Sequence, residues 1–252
     1  MKQNLSREAQ LQDDQYAIPY HYIPQYEKGF SASLYYRFGI NYVSTLEFLK
    51  EKLEELVFDS VCDVGAGDGR LVRELSSWFP GKKLCGLDYS ERAVNLARGL
   101  NPGLEFIKTD IITDPPSEKY DVLTLIEVFE HIPTESCRVF VTALHGMLHE
   151  GGTLLITVPH INIHISPKHY QHFSSASLLD YFRDLFHVEE VVFFEKHRSW
   201  RVYWIRRLLK NKLFLLNNKA LLNYLYRVYK KHCFHTEEAQ CKRIFLKLRK
   251  SE

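Results

Sequence analysis

The sequence predicts an α/β fold built on a mostly parallel sheet of seven strands, with helices on both faces, an N-terminal lid or wrap and a helical insertion before the last strand. Three observations carry that prediction. Short apolar runs of strand length alternate with stretches of helical period between residues 40 and 195, and such alternation implies a parallel sheet wound by right-handed crossovers. The run Val61-Cys62-Asp63-Val64-Gly65-Ala66-Gly67-Asp68-Gly69-Arg70 reads as a strand, a glycine-rich turn and the start of a helix, the order that cradles nucleotides. Acids then stand at successive strand ends, Asp63, Asp88, Asp110 and Glu127, where open α/β sheets gather their ligands.

Taken in order, Tyr42, Leu46, Leu49, Leu53 and Leu56 recur at spacings of four and three, the stripe of an amphipathic helix leading into the first strand. After the glycine turn, Leu71, Val72, Leu75, Trp78 and Phe79 mark the first crossover helix, and Lys82–Leu87 is the second strand. Ser90 is placed to cap a helix carrying Ala93, Leu96, Ala97 and Leu100, which Asn101-Pro102-Gly103 ends. Leu104–Lys108 is the third strand, and Asp121–Ile126 is an apolar run suited to a strand buried on both faces. Arg138–His149 reads as a helix, ended by Gly151-Gly152 before the strand Thr153–Val158. Ser174 can cap a helix over Ala176–Phe186, and Val188–Phe194 is another strand. Alternating Ile244, Leu246 and Leu248 make Cys241–Leu248 the last strand.

The glycines let the backbone turn sharply and let a ligand reach main-chain N–H groups that a Cβ would cover. Asp88 follows at the spacing of about 20 residues from which an acid holds the ribose hydroxyls of an adenosine-containing cofactor. Right after the fourth strand, Glu127, Glu130 and His131 fall at i, i+3 and i+4, so a helical turn starting there sets all three on one face. Two carboxylates and an imidazole converging at a strand end form a candidate divalent-metal site, suited to Mg²⁺ or Mn²⁺ before Zn²⁺. Without a metal, His131 reads as a base or a packing group. His160, His164, His169 and His172 crowd one later loop, which leaves any further ligand open. His232, Cys233, His235 and Cys241 match no standard zinc spacing.

The ordered series Asp63-Val64-Gly65-Ala66-Gly67-Asp68-Gly69, Gly86-Leu87-Asp88-Tyr89-Ser90, Phe106-Ile107-Lys108-Thr109-Asp110-Ile111 and Tyr120-Asp121-Val122-Leu123-Thr124-Leu125-Ile126-Glu127 resembles the motifs of class I S-adenosylmethionine-dependent methyltransferases. The resemblance covers roughly residues 40 to 195, with a further strand near the C-terminus. A dehydrogenase fingerprint is G-x-G-x-x-G, whereas this turn is G-x-G-x-G. The resemblance implies a Rossmann-like sheet and places Asp63, Gly65, Ala66, Gly67, Asp88, Tyr89, Asp110, Ile111 and Glu127 around the cofactor. In it, Asp110 accepts from the adenine amino group, Ile111 packs on the ring and Glu127 lies near the methionine end. The E-x-x-E-H run is similar to the metal-binding motif of small-RNA terminal 2′-O-methyltransferases and quinone-biosynthetic O-methyltransferases. The RNA enzymes add a histidine five residues before a capping Ser or Thr, which here is His169. By that resemblance Glu127, Glu130, His131 and His169 would hold the metal, and His131, Glu130 and His169 would serve catalysis.

At 252 residues, with 45% apolar and 13% aromatic residues, the chain has material for one core with decorations. The expected parts are an N-terminal tyrosine-rich lid or wrap (1–38), a cofactor-binding core (39–195), a basic helical insertion (196–236) and the last strand (237–252). The first part carries Tyr16, Tyr20, Tyr22, Tyr26, Tyr35 and Tyr36, with Pro19 and Pro24 blocking long helices. The polar N-terminus and the lack of an 18-residue apolar run predict neither a signal peptide nor a spanning helix. An odd number of cysteines, five, argues against a disulfide framework and for the cytoplasm.

The net charge of +2 hides an asymmetry: residues 196–231 carry eleven Lys or Arg and no acid, leaving 22 bases against 31 acids elsewhere. That segment also holds Trp200, Tyr203, Trp204, Phe214, Tyr224, Tyr226 and Tyr229. It can lie on an anionic membrane surface, grip a nucleic-acid backbone or form a helical cap with a solvated basic side. The expected activity is methylation of a hydroxyl on a small molecule, whether lipid-linked, quinone-like or a sugar. The alternatives are metal-dependent 2′-O-methylation of an RNA end and a non-catalytic binding module.

Overall fold

In the computed structural model, which describes residues 6–14, 16, 36–209, 216 and 218–251, seven strands pair into one sheet. They are β1 (Ser60–Val64), β2 (Lys83–Asp88), β3 (Glu105–Lys108), β4 (Tyr120–Ile126), β5 (Leu148–Pro159), β6 (Phe186–Phe194) and β7 (Arg243–Lys250). Their order is β3-β2-β1-β4-β5-β7-β6. All neighbours from β3 to β5 are parallel, and β7 runs antiparallel between β5 and β6. The strand order reverses beside β1, so the crevice at the carboxyl ends of β1 and β4 is the topological ligand site of such a sheet.

Eight helices accompany the sheet among the described residues: α1 (Arg7–Asp14), α2 (Tyr36–Glu54), α3 (Arg70–Trp78), α4 (Glu91–Leu100), α5 (Cys137–Gly146), α6 (Ser175–Phe182), α7 (Trp200–Leu209) and α8 (Lys219–Tyr229). Ser90 caps α4 by accepting from the Ala93 N–H, and Ser174 caps α6 through a reciprocal capping box with Ser177, as their positions before apolar-periodic runs predict.

Alternation along the strands feeds two cores. Cys62, Leu123, Leu154, Ile156 and Leu246 face α5 and α6 through Phe140, Leu144, Leu178 and Phe182. Val61, Val122, Leu155 and Phe245 face the other way, onto Leu46, Leu49, Leu71 and Leu75 of α2 and α3. Burying each such Leu or Phe contributes roughly 1.5–3 kcal/mol before entropy costs. The basic segment between β6 and β7 joins this second core: Val202 and Ile205 of α7 and Leu225 and Tyr229 of α8 pack beside α2. All five cysteines are buried free thiols.

The element boundaries differ from the sequence expectation where strand pairing competes with a helical pattern. Leu148 pairs with Tyr120, so α5 stops at Gly146 and β5 starts before the glycine pair. Phe186 pairs with Lys250, which shortens α6 to Phe182 and shifts β7 two residues beyond the expected span. Tyr20, Tyr22, Tyr26 and Tyr35 lie outside the described residues.

Candidate active site

The chain leaves β1 at Val64 and turns across the end of β2. The N–H groups of Gly65 and Ala66 donate to the Leu87 carbonyl at 2.7 and 2.8 Å. The Gly67 N–H donates to Asp88 Oδ2 at 2.9 Å, and the Ser90 N–H donates to Asp88 Oδ1 at 2.9 Å. Asp88 therefore ties the glycine turn to the start of α4. The Tyr89 N–H also donates to this carboxylate, and with about four acceptor positions it still has room for a ligand hydroxyl. Gly67 sits at φ +55°, and a Cβ there would lie 2.8 Å from the Tyr16 hydroxyl. Both the backbone angle and the close approach favour glycine.

Asp63 is buried behind the turn and accepts from Thr124 Oγ1 at 2.7 Å. Burial pushes its pKa up to about 7 despite that bond, and burial likewise raises Asp88 to about 6. At the end of β3, Ile111 is buried and Asp110 is exposed at the rim, where its Oδ1 accepts from the Ile112 N–H at 3.0 Å. Burial also raises the Tyr89 pKa, and its hydroxyl donates to the Ala9 carbonyl of α1 at 3.4 Å. Further contacts hold α1 over this end of the cleft: Ser90 Oγ bonds Asp13 Oδ1, and Ser6 Oγ lies 2.6 Å from the Tyr170 hydroxyl.

One cleft of about 1740 Å³ is lined by all twelve residues that the sequence singles out, from the glycine turn to His169. The glycine turn, the acids on β1 to β3 and a buried apolar contact at Ile111 fit an adenosine cofactor.

Beyond β4 the chain makes a short 3-10 turn, Phe129–His131. The Tyr170 N–H donates to the Glu130 carbonyl at 2.9 Å, which joins this turn to the histidine-rich loop after β5. Ligating atoms of Glu130, His131 and His169 all lie within 4.8 Å of one another. Hydrogen bonds fix the tautomers. His131 Nδ1–H donates to the Lys168 carbonyl at 2.8 Å, leaving Nε2 unprotonated. His172 Nδ1–H donates to the Ile163 carbonyl at 3.1 Å, so its Nε2 accepts from His169 Nδ1–H at 2.8 Å. His169 Nε2 is therefore unprotonated as well.

Burial lowers His131 to about 4, with the Lys168 charge adding to the effect. Burial and then the neighbouring His131 lower His169 to about 3. Glu130 is 1% exposed and its Oε2 has no hydrogen-bond partner among the described residues. Burial, and then the charge of Glu127, raise its pKa well above the usual carboxylate range. Two neutral imidazoles and an unpartnered buried carboxylate oxygen form a donor set for a hard divalent cation.

Glu127 stands outside that set. It adopts a left-handed φ of +58° in place of the helical turn assumed from spacing. Its Oε1 accepts from Thr157 Oγ1 at 3.1 Å and its Oε2 from Arg243 Nε at 2.8 Å. Arg243 Nη1 also donates to Glu195 Oε2 at 2.6 Å, and Glu195, at the end of β6, has φ +59°. Burial alone would lower the Arg243 pKa, and the two carboxylates reverse this and raise it. Arg243 and Glu195 carry no local sequence signal; only the antiparallel pairing of β7 with β5 and β6 brings them here.

Asp63, Asp88 and Asp110 line the half of the cleft formed by β1 to β3; beside β5, β7 and β6 the lining mixes Lys168, Arg198, Arg206, Lys242 and Arg243 with Glu127, Glu130 and Glu195.

A family model described as a methyltransferase domain matches residues 40–246. A malonyl-acyl-carrier-protein O-methyltransferase of Halalkalibacterium halodurans is 30% identical over 148 residues, covering 52% of this chain and 53% of that protein. A ubiquinone biosynthesis O-methyltransferase of Idiomarina loihiensis is 26% identical over 124 residues, covering 47% of this chain and 49% of that protein. The chain thus spans about half the length of the curated relatives it matches. Magnesium protoporphyrin IX methyltransferase from Synechocystis PCC 6803, solved with bound S-adenosylmethionine, superposes over 100% of both chains with a TM-score of 0.61 at 16% identity, which shows a shared fold.

Proposed function

The chain belongs to the methyltransferase-domain family, and on that premise we propose that it methylates a hydroxyl of a small molecule from S-adenosylmethionine. The observation that carries the reading is the convergence of Glu130, His131 and His169 in the cleft that also holds the glycine turn and Asp88. S-adenosylmethionine supplies a methyl group on a sulfonium whose departure needs no acid. The protein therefore has two tasks: to align the acceptor and to remove its proton.

Asp88 accepts from the ribose with the acceptor capacity that its backbone donors leave open. Ile111 packs against the adenine and Asp110 accepts from its amino group. Glu127, fixed by Arg243 and Thr157, borders the methionine end. The unprotonated Nε2 atoms of His131 and His169 take the acceptor proton; with Glu130 they would also hold Mg²⁺ or Mn²⁺, which would supply a Lewis acid able to lower a hydroxyl's pKa. Glu127 is not assigned to the metal, because its carboxylate is already engaged. The O-methyltransferase relatives support an oxygen acceptor.

An anomalous-scattering map from a Mn²⁺-soaked crystal tests the metal. The expected peak lies among Glu130, His131 and His169, about 2.0–2.3 Å from the ligating atoms, and is lost in Glu130→Ala. No peak, with activity unchanged by EDTA, assigns the proton to histidine alone. Methylation of an RNA end shares this cluster and the basic insertion; a short RNA that causes no mobility shift at low salt removes that reading.

A further inference from the structure

Surface helices usually turn an apolar stripe to the core and a polar face to water, and α7 does not. Its inner side, Val202 and Ile205, is 4% exposed at each residue. On the outer side Trp200, Tyr203 and Trp204 are 67%, 59% and 55% exposed, and Leu208 continues the stripe one turn on. These four follow the i, i+3, i+4, i+8 spacing of a second apolar face. α8 adds exposed Leu221 and Tyr224, while its Leu225 and Tyr229 are buried. Cations are set among the rings: the Arg201 guanidinium lies 4.7 Å from the Trp200 ring centre, and Arg198 and Arg207 are exposed. No acid occurs from residue 196 to 231.

We propose that this outer face of α7 and α8 docks on an anionic membrane surface. Trp and Tyr rings suit the headgroup level because one edge is apolar and the other polar. Arginine stems lie along apolar surface while their heads reach lipid phosphates. A protein interface of this kind would be depleted of charge at its centre, whereas here cations are interleaved with the rings, which matches a uniformly anionic sheet. The described helices are too short or too polar to cross a bilayer, so the contact is peripheral. Arg198 and Arg206 of the same region line the catalytic cleft, so docking sets the cleft's basic rim at the headgroups. The consequence that the acceptor is drawn from the membrane surface rests on the methyltransferase reading; the docking itself does not.

The test uses full-length Trp78→Phe protein, in which Trp200 and Trp204 are the only tryptophans. Vesicles of phosphatidylcholine alone are compared with vesicles containing about one-quarter phosphatidylglycerol at low salt. The expected results are co-sedimentation with the anionic vesicles, a blue shift of tryptophan emission and quenching by brominated lipid. In otherwise wild-type protein, Trp200→Ser with Trp204→Ser should weaken vesicle binding by about tenfold or more, with thermal unfolding and S-adenosylhomocysteine affinity unchanged, since neither ring lines the cleft. Arg201→Glu with Arg207→Glu should do the same and abolish the salt dependence. The proposal is overturned if anionic vesicles are not bound or if the tryptophan variant binds them equally well. It is also overturned if that variant instead dissolves a dimer on gel filtration or loses RNA binding. Retained S-adenosylhomocysteine binding separates any such failure from failure of the methyltransferase reading.

Discussion

Arg243 on β7 holds Glu127 at the end of β4 through Nε to Oε2 at 2.8 Å, and the same guanidinium reaches Glu195. Both glutamates have left-handed φ, a conformation costing about 1 kcal/mol or more in non-glycine residues. The fork of one arginine thus fixes two strained strand ends in the cleft. Arg243→Met should destabilise the fold by about 3 kcal/mol, because Glu195 is 2% exposed and would lose its counter-charge. Arg243→Lys should recover only part of this, since an ammonium cannot reproduce the planar fork. Denaturant midpoints measure both; a loss under about 0.5 kcal/mol in Arg243→Met would show the bridge to be incidental.

Cofactor affinity should depend on pH through Asp63 and Asp88. Their folded pKa values, about 7 and about 6, are raised by burial above the ordinary value of 3.8. Their stability contribution is therefore full below the unfolded pKa and lost as pH rises through 6 to 7. A ligand that donates hydroxyls to Asp88 favours the ionised form, so binding has the opposite sign. It strengthens as pH rises through about 6 and releases protons there. Calorimetry with S-adenosylhomocysteine in buffers of different ionisation heat should show proton release near pH 6 and about tenfold weaker binding at pH 5 than at pH 7.5. Equal affinity at both would contradict the assignment of Asp88.

The second strand's acid and the glycine turn are legible because they are local: strand end, turn and helix cap are contiguous in sequence, and Asp88 fits a fixed distance along a crossover. Glu130 and His131 are legible as neighbours after the fourth strand, whereas His169 is singled out only by the resemblance, which sets a histidine five residues before the capping Ser174; the residues alone leave four histidines of one loop open. Glu127 is different. Its spacing to Glu130 and His131 predicts one face only if the backbone is helical, and its positive φ breaks that premise. The reason lies at Arg243, 116 residues away, and no local pattern reports such a pairing.

Tyr16 should contribute to cofactor binding, because its ring is buried against the glycine turn. Tyr16→Ala is expected to weaken S-adenosylhomocysteine about tenfold through lost apolar cover and lost polar contact, with little change in unfolding temperature. A variant with wild-type affinity would make α1 and Tyr16 a surface wrap and remove the lid reading.

The most direct test of the account is titration of S-adenosylhomocysteine into the wild-type protein beside Asp88→Ala and Gly67→Arg. Micromolar binding is expected of the wild type, clear weakening when Asp88 loses its carboxylate and no binding when an arginine side chain is forced between Gly67 and Tyr16. No heat of binding from folded wild-type protein, or equal binding by all three, would contradict it.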